Sequence, residues 1–507
     1  MFFSRFTERQ AFWALLIISV LIKLGVALAV PMTGDEAYFV VWGKALDYGY
    51  YDHPPMVGWW LAGLLSFGDA AWWLRLPTII TTTIIGVAIY YYARGRGAML
   101  AVLAAGLYWL APINLFIPLI TTDTPLIFWS FVSAWCFYRA QRRDQSMWYL
   151  MAGVFLGLAF VSKFFAGLLG LAYVAYLLLF VRRGWRPYLG ILLVLLGTLP
   201  FIAMNLYWNY THCWDNYLFN LQNRTSDFEF SLITLAKYLL LLLVVVTPPV
   251  LFYLWRSPAK FINTIKQDGL GLFLVLFLVP ILLFMLIALG KTVGGHWILS
   301  FYPFLFVALA VFLNYGQLRV CFHFMWGSSL VFLIAFSVLI AVIPGAFKNN
   351  PDTLQDLIFA TRTPALLEAI KPFQFNFQLA TTSYSQSATL AYWSKKPVIV
   401  LGLGSHHGRQ DDLLTDLRKL NRQPIVLVSQ DSANVETYAK YFASYQHIIL
   451  PFEGTQFHLG VGTEFNYPLY RATVLTEIRK QYYFMPSWLP KGQCYMDDRY
   501  VAPLSTP

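Results

Sequence analysis

Residues 11–30 read AFWALLIISVLIKLGVALAV, and shortly after them the chain passes through Gly34-Asp35-Glu36-Ala37-Tyr38 and then Tyr50-Tyr51-Asp52-His53-Pro54-Pro55. An apolar stretch of about 20 residues is what a helix needs to cross a hydrocarbon layer of roughly 30 Å. The stretch therefore reads as a membrane span. The acids behind it sit next to lipid, where carboxylates are costly to keep unless they are put to use.

The rest of the chain has the same character. Its 507 residues are 58% hydrophobic and 12% charged, with a mean hydropathy of +0.57, which excludes an ordinary soluble core. Further runs near 72–92, 98–117, 124–140, 146–162, 164–181, 188–206, 234–254, 270–289, 297–313 and 322–343 bring the count to about eleven spans. Only Ser162-Lys163 divides the runs 146–162 and 164–181.

Charge decides that they are two. If every run crosses, one set of short loops collects twelve basic residues: Arg94, Arg96, Arg139, Arg142, Arg143, Arg182, Arg183, Arg186, Arg256, Lys260, Lys266 and Arg319. The positive-inside rule makes that side cytoplasmic, and losing one crossing would scatter the clusters over both faces. The net charge of +11 is thus topology rather than a nucleic-acid footprint. The opposite loops hold Asp35, Glu36, Asp52, His53, Asp123, Lys163, Arg224, Asp227, Glu229, Lys291 and His296, so the groups able to do chemistry face outward.

Arg5, Arg9, the first run and Ala27-Leu28-Ala29 imitate a secretory signal. The length of the run and Lys23 within it favour an uncleaved anchor. Residues 1–345 read as a membrane domain with an external loop over 31–71. Residues 346–507 read as an extracytoplasmic α/β domain, placed outside by the odd number of crossings. Its strands are expected at 397–401, 424–428 and 447–451, with helices over 411–421 and 432–445, in a largely parallel sheet. Cys213 and Cys494 both fall outside, where oxidation permits pairing, but sequence cannot show that they approach each other.

Asp35-Glu36 reads either as a catalytic base at the membrane surface or as the acid pair of a helix start at Gly34-Asp35. Segments 36–46 and 56–66 are too short to span and rich in Trp and Tyr, so they are expected to lie along the membrane interface. Asp52-His53-Pro54-Pro55 is either a proline-fixed turn or a pair of polar contacts, His53 to a phosphate oxygen and Asp52 to a cation or hydroxyl. Asp123, in Thr122-Asp123-Thr124-Pro125, competes with a helix cap. Lys163 and Lys291 stand against the charge bias, as phosphate ligands or as lysines snorkelling to headgroups. His296 either caps a helix or lines the same external cavity. His406-His407 reads as a strand-to-helix turn.

These residues carry a resemblance. The outward Asp-Glu, the aromatic stretch, Pro54-Pro55, Trp73-Leu74-Arg75-Leu76-Pro77, Thr122-Asp123-Thr124-Pro125-Leu126, Ser162-Lys163-Phe164-Phe165-Ala166-Gly167, and Lys291 with His296-Trp297 resemble the GT-C glycosyltransferases that use polyprenyl-phosphate sugars. The likeness covers roughly residues 10–310 and is nearest to the branch with protein O-mannosyltransferases and the lipid A aminoarabinose transferase.

The resemblance implies a GT-C-like fold, a polyprenyl-phosphate-linked sugar as donor, and an envelope lipid, glycan or protein hydroxyl as acceptor, on the outer face of the inner membrane. It implies Asp35 as the base of an inverting displacement. Lys163, His53 and Lys291, with Arg75 and Arg224, would meet the leaving phosphate, and Asp123 and Glu36 would orient hydroxyls. Where the aminoarabinose transferases have Glu-Lys-Pro-Pro this chain has Asp52-His53-Pro54-Pro55, which leaves open a divalent metal ion held by Asp52 with His296 or His212. A polytopic lipid or sugar transporter and a non-catalytic assembly factor are the rival readings. The first should carry mid-span charges and broken helices.

Overall fold

The computed structural model describes residues 6–116, 118–181, 184–223, 228–257, 263, 270–346, 350–373, 376–404 and 408–501. It divides into two compact units. The first comprises Met1–Val30, Gly68–Met204 and Asp227–Ser337, and the second Pro31–Phe67, Asn205–Ser226 and Val338–Pro507. The loop after the first span thus groups with the polar tail.

The first unit is helical, and each of the eleven apolar runs contains a helix. Glu8–Ala29, Ala71–Arg96, Arg186–Thr211 and Tyr315–Val338 are long and apolar enough to cross a membrane singly. Leu232–Val246 and Pro248–Arg256 form a pair bent by 89° at Thr247; Pro248 and Pro249 at the start of the second helix cannot supply the N–H groups that would continue the first. The chain does break at Ser162-Lys163, between the helices Ser146–Phe160 and Ala166–Phe180.

The helices pack through small residues, as lipid-embedded helices do. A Cβ on Gly153 would stand 2.1 Å from the Val194 carbonyl oxygen, so only glycine admits that approach. Thr198 fastens it by donating to the Gly153 carbonyl at 2.9 Å. The core is apolar and aromatic, with Phe137 stacked on Tyr173 at 4.1 Å. Lys23 is fully buried in the first helix and donates to Thr82 Oγ1 at 2.9 Å, a structural tie between spans.

The second unit contains a five-stranded sheet in the order β2-β1-β3-β5-β4: β1 Gln378–Thr381, β2 Ile399–Val400, β3 Ile425–Ser429, β4 Phe442–Phe452 and β5 Thr455–Phe465. β1 pairs in parallel with β2 and β3, while β3–β5 and β4–β5 are antiparallel. The sheet is therefore mixed rather than largely parallel. The long β4–β5 hairpin turns at Glu453-Gly454, both at positive φ, the conformation that matches strand twist in two-residue turns.

The helix expected over 432–445 also gives way. It ends at Glu436, a 3-10 turn follows at Ala439–Tyr441, and β4 starts at Phe442. Tyr438, Tyr441 and Tyr445 mimic a helical spacing, but Tyr445 belongs to the strand and donates to the Val435 carbonyl at 2.6 Å. The helix expected over 411–421 is two short pieces, Gln410–Leu414 and the 3-10 turn Leu417–Leu420. A disulfide joins Cys213 to Cys494 within this unit.

Two loop helices, Gly34–Lys44 and Met56–Leu65, match the segments expected at the interface. Several of their aromatic neighbours are nonetheless core residues. Tyr38, Trp42 and Tyr50 are buried, Trp42 stacks on Tyr50 at 4.5 Å, and Tyr38 packs against Tyr384 at 4.8 Å. These rings serve the packing of the unit, whereas Tyr48 is exposed.

Candidate active site

Thr33 starts the helix that carries the first acids. Its hydroxyl accepts from Glu36 N at 3.3 Å, and Glu36 Oε2 accepts from Thr33 N at 3.1 Å, a reciprocal capping box. The two acids thereby separate in role. Glu36 is buried and committed to the cap, which leaves Asp35 on the same first turn with its carboxylate outside the capping hydrogen bonds.

Asp35 has a tyrosine for company. Tyr384 opens the helix Tyr384–Ser394, and its hydroxyl is near enough to the Asp35 carboxylate to favour the charged form. Although Asp35 is exposed, the protein around its carboxylate withdraws water and raises its pKa; the nearby Tyr384 hydroxyl works against that rise and the charge of Glu36 adds to it. A carboxylate tuned upward while still reachable is suited to take a proton. Nothing in the sequence tied Tyr384 to Asp35.

Asp52 and His53 lie in a turn held by the Tyr50 N–H donating to the His53 carbonyl at 2.9 Å and by Asn220 Nδ2 donating to the Asp52 carbonyl at 3.0 Å. His53 Nε2 is 3.9 Å from Asp52 Oδ2. Asp411 is a further acid in this unit that sequence reasoning passed over. Burial pushes its carboxyl up to about 7, with Arg409 pulling the other way.

In the first unit Asp123 begins the helix Asp123–Arg143, but no side-chain hydrogen bond caps that helix. Its carboxylate instead receives Lys163 Nζ at 2.8 and 3.0 Å, with both side chains buried. Capping and snorkelling are both set aside for this pair. Lys163 also stands 5.2 Å from the centre of the Phe165 ring.

Arg75 is buried and donates to the carbonyls of Ala27 and Val30, each at 2.7 Å, at the carboxyl end of the first span. A guanidinium there meets unsatisfied carbonyls and the negative end of the helix dipole. Lys291 is half-buried in the turn after the helix Leu270–Ile287, and His296 is exposed on a short 3-10 turn before the helix Tyr302–Phe312. Arg224 and His406-His407 lie outside the described residues.

Among the described residues no group of three or more His, Cys, Asp or Glu side chains is placed to hold a metal ion. His212 is engaged elsewhere: Nδ1 lies 2.9 Å from the Trp208 carbonyl oxygen and Nε2 lies 3.9 Å from Asp47 Oδ2.

Comparison with known proteins converges on one class. Residues 52–208 match the dolichyl-phosphate-mannose-protein mannosyltransferase family. The lipid A galacturonosyltransferase RgtD of Rhizobium johnstonii is 29% identical over 135 residues, which are 26% of this chain and 28% of that protein. The match therefore spans little more than a quarter of the relative's length.

Crystal structures of ArnT from Cupriavidus metallidurans superpose over most of the chain. The apo form gives a TM-score of 0.59 and the form bound to undecaprenyl phosphate 0.60, each at 15% identity, covering 88% of this chain and 97% of that one. With family, curated relative and solved structures all of one kind, the chain is a multi-pass membrane protein with the GT-C glycosyltransferase fold.

Proposed function

We propose that the protein is a membrane glycosyltransferase that moves a sugar from a polyprenyl-phosphate donor to an envelope acceptor on the outer face of the cytoplasmic membrane. The observation that carries this reading is the Asp35 carboxylate, left out of its helix cap, exposed, raised in pKa and with the Tyr384 hydroxyl beside it. The acceptor hydroxyl oxygen attacks the anomeric carbon, its proton passes to Asp35, and the carbon–oxygen bond to phosphate breaks as polyprenyl phosphate leaves. One displacement inverts the anomeric centre.

Undecaprenyl phosphate in the ArnT structure and lipid A as the substrate in RgtD's name support the lipid-phosphate donor and an envelope-lipid acceptor. The departing phosphate needs cations. Lys163, Lys291, His53, Arg75 and Arg224 are assigned to it, Lys163 with its charge already balanced by Asp123 and Arg75 with part of its guanidinium on backbone carbonyls. The Cys213–Cys494 bridge favours an oxidising compartment for the second unit, in keeping with an extracytoplasmic site.

The test is mass spectrometry of envelope lipids and glycans from cells lacking the protein, followed by rescue. The wild-type chain should restore one missing sugar mass and Asp35→Asn should not. Full rescue by Asp35→Asn overturns the assignment. Lipid scrambling by the purified protein without sugar transfer would establish the transporter reading instead.

A further inference from the structure

The second unit contains a cavity of about 730 Å³ whose position follows from its strand order. β1, β2 and β3 are parallel, and because β2 lies at one edge beside β1 while β4 lies at the other edge beyond β3, the connections after β1 and β3 leave in opposite directions. In open α/β sheets ligands bind in the crevice opened at such a reversal, beyond the carboxyl ends of the strands. The cavity is lined by Thr382 and Ser383 after β1, by Gly402-Leu403-Gly404 after β2, and by Ser429, Gln430 and Asp431 from the end of β3 onward.

Glycine is required in the β2 turn. Gly402 and Gly404 sit at φ +78° and +69°, and a Cβ on Gly402 would lie 1.7 Å from the Tyr438 hydroxyl. The backbone is thus held close to the cavity wall while leaving the space open.

The lining chemistry narrows the occupant. Hydroxyls and amides predominate, two acids (Asp431 and Glu477) are present, and no Lys or Arg is among the described lining residues. The two acids would oppose a phosphate or carboxylate ligand, and the buried Arg409 behind the β2 turn is already taken up by the Gly402 and Leu403 carbonyls and by Asp412. Tyr438 and Tyr441 at the wall are buried in the core of the unit, so a ligand meets chiefly the hydroxyl and amide groups around them. Some of the polar lining is already spent: Asp431 Oδ1 caps the Ala433 N–H at 2.9 Å and the Tyr441 hydroxyl lies 3.0 Å from Thr473 Oγ1. The side chains of Asn434 and Glu477 make no hydrogen bond among the described residues and are exposed.

We propose that this crevice is a saccharide-binding site for a neutral or amine-bearing glycan of one to a few sugar units. It stands on its own observations, whatever the reaction at Asp35. The volume is in the range of small-molecule sites. Asn434 and Glu477 supply the directional contacts, with the hydroxyls and amides of the lining around them.

The test uses the full chain in lipid nanodiscs and saturation-transfer NMR with methyl glucoside, glucosamine, chitobiose and galacturonic acid. Methyl glucoside, glucosamine or chitobiose should receive saturation, with galacturonic acid weakest. Asn434→Ala and Glu477→Gln should each weaken binding about five- to tenfold with unchanged melting, the loss of one neutral or charged hydrogen bond. Asp35→Asn should bind as wild type.

The proposal fails if no saccharide receives saturation, if both cavity variants bind as wild type, or if galacturonic acid is preferred. It also fails if Asp35→Asn abolishes binding, because the saccharide would then belong to the transfer site. If a cavity variant melts at lower temperature, Thr437→Trp, which fills the space from an exposed helix end, replaces it and should also block binding.

Discussion

Lys163 Nζ stands 2.8 Å from Asp123 Oδ1, and both side chains are buried. The charge that sequence offered to a phosphate is thus balanced within the protein before any ligand arrives. Breaking such a pair from one side leaves an uncompensated buried ion, which costs about 3–5 kcal/mol, whereas replacing both partners by apolar residues of similar volume is often neutral. Asp123→Ala should therefore lower the melting temperature of the purified protein sharply. Asp123→Leu combined with Lys163→Met should recover most of that loss and still lack transfer activity. Equal melting of the single and double variants would show that the pair is not coupled.

Asp35 is assigned the proton. Asp35→Asn should lower the transfer rate by about 10²–10⁴-fold, the usual contribution of a positioned base, with little change in melting because the capping box runs through Thr33 and Glu36. The measurement is transfer to acceptor at saturating donor.

Tyr384→Phe tests the tuning of that base. The hydroxyl stabilises the Asp35 carboxylate, so removing it raises a pKa that burial already raises. The base must be ionised to act, and activity climbs as pH rises through its pKa. The acid limb of the kcat/KM profile should accordingly move to higher pH in Tyr384→Phe, with the alkaline plateau nearly kept. An unmoved acid limb would remove Tyr384 from the positioning of the base.

Most of the helical architecture was legible because an apolar run of membrane length admits few other readings, and the cut at Ser162-Lys163 followed from the loop arginines. The tail was half legible. β2 and β3 stood out as short apolar strands, but the Glu453-Gly454 turn was not recognised and the tyrosine spacing at 438, 441 and 445 suggested a helix where a strand begins. At the site, Asp35, Asp123 and Lys163 could be named one by one from their places in the loops. Their partners could not, because the Tyr384 contact joins positions far apart in sequence and leaves no local periodicity. Asp411 was illegible for the same reason: its shift comes from burial within the tail, which composition does not report.

Reduction offers a separate handle on the second unit. Cys213 and Cys494 lie 281 residues apart, and closing so long a loop restricts the unfolded chain; bridges of this kind typically contribute about 2–4 kcal/mol. Cys213→Ser, or treatment with a thiol reductant, should lower the melting of the wild-type protein. Reductant should have no further effect on the variant.

Asp411 gives the second unit a pH dependence of definite sign. Its carboxyl is raised from an ordinary 3.8 to about 7 by burial, with Arg409 opposing. The folded state therefore holds a proton that the unfolded chain releases more readily. The stability this group contributes is complete below 3.8 and is lost as pH rises through about 7. Asp411→Asn keeps the shape but cannot ionise, so its stability should be flat across that window. Above it the variant should exceed wild type by roughly a few kcal/mol. Urea or thermal unfolding of the full chain at pH 5 and pH 8 makes the comparison. A wild-type curve that rises between those pH values would contradict the burial of this acid in its neutral form.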